Sequence, residues 1–128
     1  IKIWPNPNWS WSYFNMGSIY FEQGDIPQAI ENLQKCLELN PRDVEAYKIF
    51  SQILIKIGHV NQSINLLKKA LEEVPDNGDI YYVLAQNYKI DNITSDYKYM
   101  LEMALENEDT LTMVSPEVVK QELSAFEQ

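Results

Sequence analysis

The sequence is poor in the residue types from which metal sites, disulfides and membrane spans are built. Its 128 residues include one cysteine and one histidine, which excludes an internal disulfide and a cysteine-rich zinc site and leaves little for a histidine cluster. No apolar run reaches the roughly 18 residues of a membrane-spanning helix. We therefore predict no metal site and no direct membrane insertion.

Basic residues and catalytic motifs are also scarce. Ten Lys and Arg stand against 19 Asp and Glu, for a net charge of −9, which argues against a nucleic-acid partner because phosphate backbones require excess positive charge. The sequence has no nucleophile elbow, no glycine loop that could cradle a phosphate, and no metal-ligand spacing. We predict a non-enzyme with no catalytic residue and no cofactor, whose partner is a protein or peptide.

What the sequence does contain is a repeat whose period is about 34 residues, the interval from Tyr13 to Tyr47. A sequence that is 45% hydrophobic can form a packed core, and sliding it by one such period aligns it with itself in one register. The matching columns are Tyr13, Tyr47 and Tyr81; Leu33, Leu67 and Leu101; Cys36, Ala70 and Ala104; and Gly24, Gly58 and Asn92.

Each unit reads as two short helices joined by a turn. Apolar residues recur at spacings of three and four in both halves, and Gly24 and Gly58 separate the halves as helix-ending glycines do. Asp43 and Asn77 stand where the following helix needs an N-cap. The sequence therefore predicts three stacked helix–turn–helix units.

This pattern resembles the tetratricopeptide repeat. The first two copies follow the family closely, whereas the third departs from it at Asn92, Tyr97 and Asp109. Tyr97 stands where the family packs a small residue, so we expect its ring to push the two helices of the third unit apart and to shift the second.

The resemblance implies an all-α fold, an α-solenoid of three repeats with a C-terminal capping helix. We place an extended N-terminal segment at 1–9, repeats at 10–43, 44–77 and 78–111, and the capping helix within 112–128. Ser115 and Pro116 would begin that helix. The residues expected on its apolar face are Val119, Leu123 and Phe126.

The resemblance also implies a concave groove lined by the first helix of each repeat. The groove positions that we predict to bind a ligand are Trp11, Phe14, Lys48, Gln52, Lys56, Tyr82, Gln86 and Lys89. The aromatic side chains would anchor an extended or helical peptide, the glutamines would bond its backbone, and the lysines would meet its carboxylates. An equally weighted alternative is that Trp11, Phe14 and Phe21 are covered by the N-terminal segment or by an upstream repeat.

Relatives that bind the acidic tails of chaperones use a clamp of Lys, Asn and Arg side chains. The corresponding positions here hold Phe14, Ser18, Ile49, Asp79 and Val83, none of which matches. We therefore do not expect a co-chaperone of that type.

The resulting hypothesis is a protein-interaction module within a larger assembly. The first alternative is a structural spacer or self-associating element, including a homodimer; the second is the tail domain of a larger membrane-associated protein. Because the sequence begins at Ile1 rather than Met, we expect a piece of a longer protein. The compartment stays open, with the cytoplasm favoured over a periplasmic or envelope-associated location.

Overall fold

The computed structural model describes residues 8–127, which form seven α-helices and, within that range, no β-strand. The helices are α1 (Asn8–Glu22), α2 (Ile26–Leu39), α3 (Val44–Lys56), α4 (Val60–Glu73), α5 (Gly78–Ile90), α6 (Thr94–Glu106) and α7 (Pro116–Ser124). Short 3-10 turns follow α6 at Glu108–Thr110 and α7 at Ala125–Glu127. The predicted all-α solenoid is confirmed: α1 to α6 form three antiparallel pairs, and α7 packs against the last pair.

The helix boundaries keep the period seen in the sequence. The second helices begin at Ile26, Val60 and Thr94, each one repeat period after the last, and α3 and α5 keep the same interval. Helix α1 begins at Asn8. The last two residues of the segment predicted to be extended, 8–9, are therefore helical, and the remainder of that prediction lies outside the described residues.

The turn inside each repeat contains, at the same position, a residue with a left-handed backbone conformation. Gly24 and Gly58 both have φ of +81°, and Asn92 has φ of +60°. Glycine adopts this conformation without a steric penalty, and asparagine is among the residues that tolerate it best. The third turn therefore keeps its geometry although its glycine is replaced.

Side-chain caps begin α3 and α5 as the sequence predicts. The carboxylate of Asp43 accepts a hydrogen bond from the Ala46 N–H at 3.1 Å, and the Asn77 side chain accepts one from the Ile80 N–H at 3.0 Å. Each bond satisfies a backbone donor that the first turn of a helix leaves unpaired.

The repeated small and leucine columns form the core. Leu33, Leu67 and Leu101 are fully buried, as are Cys36, Ala70 and Ala104. In the first pair, a Cβ on Gly17 would lie 2.9 Å from the Leu33 side chain, so the close approach of α1 and α2 requires glycine. Each pair thereby contributes to one continuous apolar interior.

The expectation that Tyr97 would separate α5 from α6 is wrong. The two helices remain closely packed, and α6 begins in register with α2 and α4. The Tyr97 ring points toward the C-terminal end of the molecule, where its centroid lies 5.5 Å from that of Phe126. The ring therefore packs against the cap as well as against core residues of α5 and α6.

Helix α7 closes the C-terminal end as predicted. Val119 is fully buried, while Leu123 and Phe126 pack around the same cluster of α5 and α6 residues. Pro116 occupies the start of the helix and Ser115 the capping position, although the Ser115 side chain makes no capping hydrogen bond.

Candidate functional site: the groove between α3 and α5

An open groove of about 500 Å³ lies between α3 and α5, the first helices of the second and third repeats. Its apolar lining consists of Ile49, Ile55, Val83, Ile90 and Met113. Its polar lining includes Glu45, Lys48, Gln52, Gln86 and Asn87. We call this surface the α3–α5 groove. Of the eight predicted binding residues, it brings together Lys48, Gln52 and Gln86.

Lys48 is already paired within the groove. Its ammonium group donates to Asp79 at 3.0 Å and lies 2.8 Å from the Glu45 carboxylate. Burial lowers the pKa of Lys48, but the bonds to these two carboxylates outweigh burial and leave the pKa above its ordinary value. Lys48 is therefore not a free cation for a ligand carboxylate, contrary to the role expected from the sequence.

Asp79 ties the groove to the segment that follows the third repeat. Its buried carboxylate accepts hydrogen bonds from the Thr112 N–H at 2.7 Å, the Thr112 hydroxyl at 2.5 Å and the Met113 N–H at 3.0 Å. Burial raises the pKa of Asp79, but these bonds together with Lys48 hold it below the ordinary value. The same bonds hold Met113 at the mouth of the groove.

The carboxylate of Glu122, on α7, is hydrogen-bonded to two of the predicted binding residues of the third repeat. Its carboxylate accepts hydrogen bonds from the Tyr82 hydroxyl at 2.7 Å, Gln86 Nε2 at 2.9 Å and the Tyr97 hydroxyl at 2.6 Å. Burial raises the pKa of Glu122, and the three donors lower it to below its ordinary value. Burial and the bond to Glu122 raise the pKa of Tyr82 to about 12.

This arrangement corrects the prediction for the third repeat. Tyr82 and Gln86 hold the capping helix in place, so they do not stand free to contact a ligand while α7 is docked. Gln86 still lines the edge of the groove, whereas Tyr82 does not.

The other four predicted residues lie outside the α3–α5 groove. Phe14 packs against the core of the first two repeats, while Trp11 is 67% exposed. Lys56 lies over the Phe21 ring, with Nζ 5.3 Å from the ring centroid, and Lys89 lies over the Tyr97 ring at 5.9 Å. Lys56 therefore interacts with a ring of the preceding repeat, and Lys89 with a ring of its own repeat.

Asn87 places an unsatisfied polar atom beneath the groove. The residue is 3% exposed; Nδ2 donates to the Val83 carbonyl at 2.8 Å, and Oδ1 has no hydrogen-bond partner. Ser51 and Ser63, whose hydroxyl oxygens are 2.6 Å apart, lie next to it. A buried acceptor without a donor carries a desolvation cost.

Sequence reasoning missed the roles of Asp79, Glu122 and Met113, because these roles depend on contacts between α5 and the C-terminal segment. The aliphatic lining of the groove could have been predicted from the sequence. Ile55 and Ile90 occupy groove positions that the core of the repeat does not require, so aliphatic residues there indicate an apolar surface.

A second depression of about 440 Å³ lies on the opposite side, between α2 and α4. Its floor consists of Tyr47 and Phe50, which belong to the cores of the repeats. Because the packing of adjacent repeats accounts for its shape, we consider the α3–α5 groove the better candidate site.

Two absences within residues 8–127 bear on the class of site. None of the helices described there combines the length and the apolar character required to cross a membrane. Within the same range, no group of three or more His, Cys, Asp or Glu side chains is arranged to hold a metal ion.

Comparison with known families identifies the class of protein. The model of the tetratricopeptide repeat family matches residues 20–86, just over half of the chain. The chain belongs to this family. No curated protein matches it.

Solved structures show the same fold at low sequence identity. The first TPR of Spaghetti (RPAP3), bound to the HSP90 peptide SRMEEVD, is 16% identical, with a TM-score of 0.77 over 99% of this chain and 97% of that one. The TPR2AB domain of yeast Sti1, in complex with pHSP90, is 20% identical, with a TM-score of 0.80 over 96% of this chain and 48% of that one.

MamA is similar over a shorter stretch. It is 21% identical, with a TM-score of 0.71 over 81% of this chain and 61% of that one. A second MamA structure is matched over 56% of its length. The chain thus spans less than two thirds of these MamA chains, and likeness at this level of identity establishes the fold alone.

Proposed function

We propose that this chain is a non-catalytic protein-interaction module that binds an apolar peptide segment of a partner in the α3–α5 groove. The observation that carries the proposal is the apolar lining of the groove. Ile90 and Met113 are 54% and 47% exposed at its mouth, and burying such side chains against a ligand is favourable. The exposed amide of Gln52 can bond the peptide backbone.

The charges of the groove favour an uncharged ligand over an acidic one. Lys48 is neutralised by Asp79 and Glu45, and Lys56 and Lys89 do not contribute to the lining. The peptide bound by the Spaghetti domain, SRMEEVD, carries three acidic residues. A peptide of that charge would meet the carboxylate of Glu45 with no unpaired lysine to offset it, so we infer a different ligand class for this chain.

Selection from a displayed random-peptide library tests the proposal directly. We expect the intact chain to enrich peptides rich in aliphatic or aromatic residues and poor in Asp and Glu. A synthetic consensus peptide should bind about tenfold more weakly to the Ile90→Glu variant, because the new carboxylate would be desolvated against an apolar ligand.

Tyr99→Glu is the matched control. Tyr99 is also 54% exposed but lies on α6, away from the groove. Equal affinity for both variants, or an acidic consensus sequence, would contradict the proposed site. Failure to enrich any peptide would contradict the proposed function.

A second candidate function, self-association, is favoured by a different surface. Helix α1 exposes several large apolar side chains on the side that faces away from the solenoid core.

A further inference from the structure

Three buried polar side chains from three helices meet beneath the α3–α5 groove. They are Ser51 on α3, Ser63 on α4 and Asn87 on α5. The two serine hydroxyl oxygens lie 2.6 Å apart, and Asn87 Nδ2 lies 3.5 Å from Ser51 Oγ. Ser51 and Asn87 also line the groove. We call these three residues the polar cluster.

The repeat itself does not require polar residues at these positions. One repeat period earlier, the counterparts are small or apolar: Gly17 for Ser51, Ala29 for Ser63 and Ile53 for Asn87. Ala29 and Ile53 are fully buried in the core. Three polar replacements therefore coincide at one place, which the packing of the repeats does not explain.

The polar cluster contains an acceptor without a donor. Asn87 Oδ1 has no hydrogen-bond partner, although the residue is 97% buried. Because leaving such an atom unpaired costs free energy, an orphaned acceptor in a native structure calls for a donor from another molecule. Asn87 lines the groove, so a ligand of the groove can supply that donor.

We propose that Asn87 determines which peptides the α3–α5 groove accepts, because its Oδ1 accepts a hydrogen bond from a side-chain O–H or N–H of the ligand. This inference rests on the proposed function. Oδ1 is covered in the ligand-free chain, but the last torsion of an asparagine side chain has a broad energy minimum. Rotation of the amide toward the groove breaks the bond from Nδ2 to the Val83 carbonyl, and the bond to the ligand replaces it.

The surroundings of the polar cluster define the class of ligand. The groove above it is lined by aliphatic side chains, among them Ile55, Val83 and Ile90. A donor reaches the buried cluster only on a side chain that projects from the peptide into the groove. A charged side chain would be buried there without an opposite charge in the cluster, which is costly. We therefore infer a peptide that carries one Ser, Thr, Asn or Gln between apolar residues.

Peptide selection with matched variants tests the inference. We expect the consensus for the intact chain to contain one such donor residue between apolar positions, and the consensus for Asn87→Leu to contain an aliphatic residue there. Replacing the donor residue of a synthetic consensus peptide by an apolar residue of similar shape should weaken binding to the intact chain about tenfold. The same replacement should leave the affinity for Asn87→Leu unchanged.

Asn32→Leu is the matched control. Asn32 is also buried and its Nδ2 also donates to a carbonyl of its own helix at 2.8 Å, but it lies on α2, outside the groove. This variant should keep the preference of the intact chain for the donor residue.

The possible outcomes separate this inference from the proposed function. A consensus that is apolar throughout, or a preference for the donor residue that survives Asn87→Leu, would overturn the role of Asn87, while weaker binding to Ile90→Glu would still support the groove. Failure to enrich any peptide would overturn both proposals. Asn87→Ala removes the same acceptor without adding bulk, and we expect it to lose the preference even if Asn87→Leu folds poorly.

Discussion

Asn87 is a polar side chain at a position where the fold favours an apolar one. The residue one repeat period earlier, Ile53, is fully buried in the core. Asn87 instead leaves Oδ1 without a donor, and its amide bonds mainly to the carbonyl of Val83 in its own helix. That carbonyl already faces the backbone N–H of the residue one turn later, so the side-chain bond adds little.

We therefore predict that Asn87→Leu stabilises the protein. Removal of an unsatisfied buried acceptor and burial of an aliphatic side chain should raise the free energy of unfolding by about 1 kcal/mol. Urea denaturation followed by circular dichroism measures the change. A destabilised variant would show that the amide satisfies a bond with water or a ligand, and the peptide affinity of the same variant would identify which.

At the scale of the helix, the docking of α7 depends on one carboxylate and two phenols. Glu122 must be ionised to accept three hydrogen bonds, and Tyr82 must keep its proton to donate one. In the folded chain the pKa of Glu122 lies below its ordinary value of 4.5, and that of Tyr82 is raised from 10.0 to about 12.

The sign of each shift sets a pH range for stability. Unfolded Glu122 takes up its proton at higher pH than folded Glu122, so its contribution is present above 4.5 and is lost as the pH falls through the folded pKa. Unfolded Tyr82 loses its proton near pH 10, so its contribution is present below 10 and is lost as the pH rises toward 12.

We predict that Tyr82→Phe lowers the free energy of unfolding by about 1 kcal/mol at neutral pH, the usual size for a partly exposed bond to a charged acceptor. The difference from the intact chain should stay constant up to pH 10 and shrink between pH 10 and 12. Denaturation curves at several pH values measure it, with Tyr99→Phe as an exposed control. A difference that does not change with pH would contradict the assigned bond.

The contacts of α7 show which structural features could be predicted from the sequence and which could not. The six paired helices and their turns follow from local features that recur from one repeat to the next, such as Gly24, Gly58 and Asp43. The orientation of Tyr97 does not, because it depends on Phe126 and Glu122, which lie outside the repeat. Local patterns specify each helix, whereas long-range contacts decide which side chains remain exposed.

The residues of the candidate site divide in the same way, into those placed by local pattern and those whose exposure depends on long-range contacts. Gln52 lies on the exposed side of α3 and could be placed in the groove from its position in the repeat. Tyr82 and Gln86 occupy comparable positions on α5, yet Glu122 covers them from a helix 36 to 40 residues away. Lys48 is paired with Asp79, 31 residues further along the chain. A repeat pattern alone does not predict contacts between residues that lie so far apart in the sequence.

At the scale of the whole molecule, the two ends of the solenoid differ. The C-terminal end is held by polar contacts, including those of Asp79 with Thr112 and the hydrogen bond from the Gly78 N–H to the Thr110 hydroxyl at 2.7 Å. The N-terminal end exposes Trp9, Met16 and Ile19 of α1. In a solenoid each repeat is stabilised mainly by its neighbours, so a terminal helix that packs against fewer helices opens more readily than an inner one.

Hydrogen exchange should therefore show a gradient along the chain. We predict the slowest amide exchange in α3 and α4, and faster exchange in α1 than in α7 at low protein concentration. If α1 were as protected as α3 when the chain is dilute, the predicted gradient would be contradicted.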